Sequence, residues 1–178
     1  VAVFTWQGGE PTLMGLEFFQ RVVELQARYA RADQRVENDL QTNGALLTAE
    51  WCDFLKRHNF VVGLSIDGPA ELHNTYRYSK GGKPTFDRVM HAVELLHQYE
   101  IQFNALCVVN RKNAKQPLSV YTFIRDEVRP AVIQFLPAVE PANFKNTAPG
   151  YWDVTKLPMT GTSQAKPGHS DSIVTDWS

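Results

Sequence analysis

The sequence predicts an α/β fold, a parallel sheet whose strands are joined by helical crossovers. Three observations carry this. Short apolar runs rich in β-formers recur at residues 1–5, 36–42, 60–66, 102–109 and 132–139. Segments with near-helical apolar spacing separate them. The unusual polar and glycine residues follow the strand ends: Gly8-Gly9-Glu10, Asn43, Ser65 and Asp67, Asn110, and Val139-Glu140. In a barrel and in a doubly wound sheet alike, ligands bind beyond the carboxyl ends of the strands, and the residue pattern leaves both architectures open.

Each element has its own signal. The first run leads into Gly-Gly-Glu-Pro, a loop. Residues 15–31 place Phe18, Phe19, Val22, Val23, Leu25 and Tyr29 at near-helical spacing between charges. The second strand ends at the turn pair Asn43-Gly44. Thr48 is positioned to cap a helix whose stripe is Trp51, Phe54 and Leu55. The third run is almost continuously apolar, as a strand buried on both faces requires. It ends at Asp67-Gly68-Pro69, followed by a polar loop through Lys80-Gly81-Gly82-Lys83-Pro84. Thr85 is expected to cap a helix over 86–99, with Val89, Val93 and Leu96 inward. A further helix is expected over 117–128. Beyond Pro141 periodicity fades, and residues 147–172 are rich in Pro, Gly, Ser and Thr, which reads as a loop or an insertion.

Bulk properties narrow the function classes. The chain has 178 residues, enough for one core, with 43% hydrophobic and 21% charged residues. A net charge of -1 offers no electrostatic attraction for nucleic acid or an acidic membrane. No apolar run is long enough to span a bilayer and no secretory signal is visible, so a cytoplasmic location is expected. Cys52 and Cys107 form no CxxC pair and read as free, buried thiols. Val1 already stands inside a strand, and the chain stops at Ser178 without a helix stop signal, so a core fragment of a longer protein is expected.

The chemistry-bearing residues fall at strand ends. Gly8 and Gly9 let the chain turn sharply and let a ligand approach the backbone, and Glu10 beside them can accept hydrogen bonds from an ammonium group. As a bare motif this is equally a glycine-rich turn with a solvated Glu. Neither GxxxxGK[ST] nor GxGxxG occurs, which disfavours a phosphate cradle. Ser65 lies in an apolar strand and its hydroxyl needs a partner. Arg77 can grip a carboxylate with two prongs. The pair could hold the carboxylate of an amino acid, or serve a local backbone bond and a surface ion pair. His58, His73, His91, His97 and His169 match no zinc spacing and read as structural or solvated, and no GxSxG elbow occurs. Asp67 and Glu140 are strand-end carboxylates, Asp67 in a turn sequence.

Taken together, Phe4-Thr5-Trp6-Gln7-Gly8-Gly9-Glu10-Pro11-Thr12-Leu13, Gln41-Thr42-Asn43-Gly44, Gly63-Leu64-Ser65-Ile66-Asp67-Gly68-Pro69, His73, Arg77, Phe103-Asn104-Ala105-Leu106-Cys107-Val108-Val109-Asn110 and Ile133-Gln134-Phe135-Leu136-Pro137 resemble the anaerobic sulfatase-maturating enzymes. These are radical S-adenosylmethionine (SAM) proteins with a C-terminal domain of auxiliary iron–sulfur clusters. The resemblance covers about the first 140 residues in order. It implies a partial (β/α)6 TIM-like barrel truncated at both ends, with residues 1–141 as about strands 2 to 6 of the radical SAM core and 142–178 as a loop or linker toward a missing C-terminal domain. It implies SAM binding by Gly8, Gly9, Glu10, Ser65, Arg77 and Val139, and a place for Gln7 beside the substrate peptide. It implies oxidation of a Cys or Ser of a sulfatase to formylglycine through a 5′-deoxyadenosyl radical, with flavodoxin or ferredoxin as electron donor. The family's CxxxCxxC motif and the [4Fe–4S] ligands it supplies are absent here, as is the expected catalytic base, so the chain alone is expected to be inactive. Two other readings fit the same residues: another peptide-modifying radical SAM maturase, or a non-catalytic barrel that binds SAM or a peptide.

Overall fold

The structure, a computed structural model, describes residues 1–138. Val139, Glu140 and the expected linker over 142–178 lie outside the described residues. Five strands form one sheet: β1 (Ala2–Trp6), β2 (Val36–Thr42), β3 (Val61–Ser65), β4 (Phe103–Val109) and β5 (Val132–Pro137). Their spatial order is β1-β2-β3-β4-β5 and every neighbouring pair is parallel. Each crossover therefore steps one place in the same direction. Right-handed crossovers that always step the same way lay all helices on one face. A doubly wound sheet must reverse its order at a switch point, and no reversal occurs between β1 and β5. The architecture is that of a partial barrel.

The helices are α1 (Leu16–Tyr29), α2 (Ala49–Arg57), α3 (Ala70–Tyr76), α4 (Phe86–Gln98) and α5 (Pro117–Phe123). The sheet face beneath them is apolar. Leu40, Val62, Leu64, Phe103, Ala105 and Cys107 join Phe19, Trp51, Phe54, Leu55, Val93 and Leu96 in one buried cluster. The ring of Phe19 packs edge-on against Trp6 at 5.3 Å and Trp51 at 5.4 Å. Such contacts add to the area that aromatic burial removes from water. Strand alternation sends Thr5, Asp39, Gln41, Ser65 and Asn104 to the opposite face. That face is mixed, because the same register also places Val61, Leu106 and Leu136 on it. There Thr5 Oγ1 donates to Asp39 Oδ2 at 2.9 Å, while the buried Oδ1 of Asp39 has no partner among the described residues.

Several sequence expectations hold to within a residue or two. Thr48 caps α2, its hydroxyl accepting from Trp51 N–H at 3.3 Å. Both cysteines are free and buried. Among the described residues no helix is long and apolar enough to cross a membrane. The helix expected over 117–128 is present, α-helical over Pro117–Phe123 and a π-helical turn over Ile124–Val128. Two expectations need correction. The helix α3 lies where a turn and polar loop were expected, because its seven residues are too few to show a periodic stripe. Thr85 stands at the start of α4 but makes no side-chain cap. Asn74 Oδ1 performs that task, accepting from the N–H groups of Thr85 and Phe86 at 3.1 Å each. The α1 stripe is also less buried than its spacing suggests: Phe19 is buried, but Tyr29 is 71% exposed.

Gly44 turns the chain after β2 with φ of 74°, and a Cβ there would stand 2.6 Å from Leu64 Cδ1 and 3.1 Å from Ala92 Cβ. Left-handed backbone and crowding both oppose a side chain. Gly44→Ala is expected to lower stability by about 2 kcal/mol, read as a lower urea midpoint with an unchanged slope.

Candidate functional site

The polar residues after the strand ends form two hydrogen-bonded groups, one around Glu10 and one around Asp67, in a rim along the carboxyl edge of the sheet. After β1 the backbone of Gly8 (φ 92°) and Gly9 (φ 61°) is left-handed twice in succession. A Cβ at either position would meet nothing within 4 Å. Backbone conformation, not crowding, thus calls for glycine here, and both residues are exposed. Gln7 beside them is exposed.

Glu10 ends this turn and ties it to β2. Its Oε1 accepts from Thr12 N–H at 3.2 Å, Thr12 Oγ1 at 2.6 Å and Thr42 Oγ1 at 2.7 Å. Its Oε2 accepts from Asn43 N–H at 2.7 Å. Two carboxylate oxygens offer about four acceptor positions. Oε1 is crowded with donors, and Oε2 keeps room for another. Thr12 and Thr42 are buried, which fixes the carboxylate's orientation.

At the end of β3, Ser65 is half-buried on the sheet face away from the apolar cluster, opposite Leu106 of β4. Asp67, 3% exposed, is the centre of the next group. Arg77 grips it with two prongs, Nε to Oδ2 at 2.5 Å and Nη2 to Oδ1 at 3.0 Å. Oδ1 also accepts from Val108 N–H at 2.9 Å, joining this group to β4. Arg77 therefore makes neither a surface ion pair nor a direct contact with Ser65. Its side chain is 24% exposed, and its Nη1 edge has no partner among the described residues.

His73 is fully buried, one of the histidines whose spacing matches no metal site. Its Nδ1 lies 3.3 Å from Asp67 N and its Nε2 3.2 Å from Thr85 Oγ1. Thr85 Oγ1 donates its one proton to Arg77 C=O at 2.8 Å. The hydroxyl must then accept from His73 Nε2–H, so Nδ1 carries no proton and accepts from Asp67 N–H. The imidazole pKa is pushed down to about 4, chiefly by burial and then by the Arg77 charge, with Asp67 opposing the shift.

After β4, Asn113 belongs to the Asp67 group. It donates through Nδ2 to Val108 C=O at 2.8 Å and to Asp67 C=O at 3.2 Å. Its Oδ1 accepts from Asn110 N–H at 2.7 Å. Sequence reasoning singled out Asn43, Asp67 and Asn110 as strand-end residues and read Thr85 as a helix cap, but gave no site role to Thr12, Thr42 or Asn113. The Asn-x-x-Asn spacing at 110–113 was the available signal for an Asn-built turn.

The described residues contain no group of three or more His, Cys, Asp or Glu placed to hold a metal. Burial pushes the thiol pKa of Cys52 up to about 11 and, with the Asp67 charge, that of Cys107 up to about 12. Both thiols stay protonated and are poor metal ligands.

The chain is similar to several known proteins. The chain is 47% identical over 138 residues to the serine-type anaerobic sulfatase-maturating enzyme of Bacteroides thetaiotaomicron, covering 78% of this chain and 33% of that protein. It is 42% identical over 138 residues to the cysteine-type enzyme of Clostridium perfringens, covering 78% of this chain and 37% of that protein. The solved structure of native anSMEcpe with bound AdoMet and the Cp18Cys peptide superposes with a TM-score of 0.75 at 42% identity, over 78% of this chain and 38% of that one. The chain thus spans about one third of the length of these relatives. The model of the Radical SAM superfamily matches residues 1–124, from β1 through the start of the π-turn. A singly wound parallel sheet with its polar rim at the carboxyl edge, and a family match over that same stretch, make this chain a member of the Radical SAM superfamily.

Proposed function

We propose that this chain forms the SAM-binding wall of an enzyme that oxidises a Cys or Ser side chain of a sulfatase to formylglycine. The observation that carries this reading is the rim itself. One strand end presents Gly8, Gly9 and a carboxylate, and another presents a hydroxyl at Ser65 and a guanidinium at Arg77.

The rim suits the amino-acid end of SAM. An ammonium group needs acceptors, and among the described residues Glu10 Oε2 accepts one hydrogen bond, from Asn43 N–H. A carboxylate needs donors, and the Nη1 edge of Arg77 supplies them while Asp67 holds the other edge. The hydroxyl of Ser65 can reach the ribose side. Gln7, exposed beside the glycines, would contact the substrate peptide. Val139, the proposed adenine contact, lies outside the described residues. When bound, SAM supplies the radical chemistry, and the protein's part is to place it and exclude water. The described residues do not fit a [4Fe–4S] cluster, because Cys52 and Cys107 are separately buried and protonated. The names of the relatives support a sulfatase polypeptide as substrate and include both serine and cysteine types. An electron donor such as flavodoxin or ferredoxin would complete the system. A second reading, a maturase acting on another peptide, rests on the exposure of Gln7, since nothing described here constrains the peptide it meets.

The test is SAM binding and peptide turnover by the full-length protein. Tight SAM binding, with an aldehyde formed in a sulfatase-derived peptide and trapped by a hydrazide probe, is expected. SAM cleavage without aldehyde would favour the other maturase, and absence of SAM binding would overturn both.

A further inference from the structure

Four residues at the end of β3 close a hydrogen-bonded ring. Arg77 donates through Nε and Nη2 to the Asp67 carboxylate. Asp67 N–H donates to His73 Nδ1, and His73 Nε2–H donates to Thr85 Oγ1. Thr85 O–H returns to Arg77 C=O at 2.8 Å. The single hydroxyl proton fixes the direction of every link, so the ring has one consistent pattern. Arg77 N–H also donates to His73 C=O at 3.1 Å. The arginine is thus held by its guanidinium, its amide and its carbonyl, and only its Nη1 edge lacks a partner among the described residues.

This exceeds what an ion pair requires. Asp67 alone could orient the guanidinium. The Thr85 link instead fixes the main chain from which the side chain springs. Arg77 closes the base of the excursion over residues 78–84, which returns through the Tyr78–Pro84 bridge. The Asn74 cap on Thr85 and Phe86 N–H anchors that base to α4. Arg77 stands where an exposed loop leaves α3, and a loop of this kind would let its backbone shift. The ring removes that freedom.

We propose that His73 and Thr85 are positioning residues that set the Nη1 edge of Arg77 to receive the carboxylate of SAM. This rests on the reading of Arg77 as the carboxylate grip. The two residues touch no ligand and act through Arg77. Their effect should therefore depend on the ligand's carboxylate, whereas a purely structural role would weaken every ligand alike.

Equilibrium binding of SAM and of decarboxylated SAM to the full-length holoprotein tests this. The wild-type protein is expected to prefer SAM by at least about tenfold, the effect of a charge-assisted hydrogen bond. Arg77→Ala should abolish the preference. Thr85→Val should remove most of it, with binding of decarboxylated SAM changed by less than about twofold. Thr85→Ser, which keeps the hydroxyl, should restore it. His73→Asn, whose amide can accept from Asp67 N–H without reaching Thr85, should resemble Thr85→Val and serves if that variant does not fold. A wild-type preference lost in Arg77→Ala but intact in both Thr85→Val and His73→Asn would overturn the positioning role alone. Equal weakening of both ligands would do the same. Absence of any preference in the wild type would overturn the Arg77 reading, and the positioning role with it.

Discussion

Asp67→Ala is expected to lower the stability of the protein by about 3 kcal/mol, read from the urea midpoint. Asp67 is almost wholly buried and serves two partners, the Arg77 guanidinium and Val108 N–H. Its removal leaves a partly buried cation and a backbone donor without acceptors. Breaking one half of a buried ion pair costs more than the pair contributes, because the other charge stays behind. Arg77 keeps 24% exposure, so water can partly rehydrate it, and the cost sits at the low end for such pairs. Asp67→Asn separates the two functions. An amide oxygen can still accept from Val108 N–H, but it carries no charge. The loss is expected to be about half that of the alanine variant. Equal losses would show that the charge on Asp67 is the whole effect.

Stability is also expected to fall as pH is lowered from about 6.5 to about 4, with His73 contributing up to about 3 kcal/mol of the loss. Folding holds this imidazole below its ordinary value of 6.5, chiefly by burial and then by Arg77. On acidification the unfolded chain takes up the proton first, which favours unfolding. Above pH 6.5 both states are neutral and the contribution is fully present. Protonation would also place a second N–H at Nδ1, facing the Asp67 N–H it now accepts from. Asp67, Arg77, Thr85 and the edge of the Phe86 ring surround the imidazole. His58 shifts the same way through burial and Arg57, so the quantity to compare is the pH slope of wild type minus that of His73→Asn. A difference near zero between pH 6.5 and 4 would remove the assignment to His73.

The strands were legible because their side chains leave little choice. Residues 60–66 are nearly all apolar and bounded by turn residues, which marks a short strand. The two-sided burial expected of it does not occur: Val62 and Leu64 are buried while Val61 on the other face is 51% exposed. The start of α2 was legible for a similarly local reason, since Thr48 bonds an N–H only three residues away. The start of α4 was not. A threonine before an apolar stripe looks like a cap, but here Asn74 reaches in from another helix and frees the hydroxyl for Arg77. The polarity of the rim was visible in the sequence, while its internal connections were not. Glu10 meets Thr42 across 32 positions and Asp67 meets Val108 across 41, distances that no local pattern encodes.

The sequence by itself determined the α/β class, the limits of most strands and the residues that gather at their carboxyl ends. These follow from hydrophobic period and turn chemistry, which act over a few residues. Hydrophobic period and turn chemistry left barrel and doubly wound sheet open. The family resemblance implied the barrel, but it is the strand order that shows it, because that order is a relation among distant segments and each βα unit looks the same in both. Tertiary structure also decided how Arg77 is held. A guanidinium can pair with any carboxylate the fold brings near, and the parallel pairing of β3 with β4 sets the Asp67 carboxylate between Val108 and Arg77.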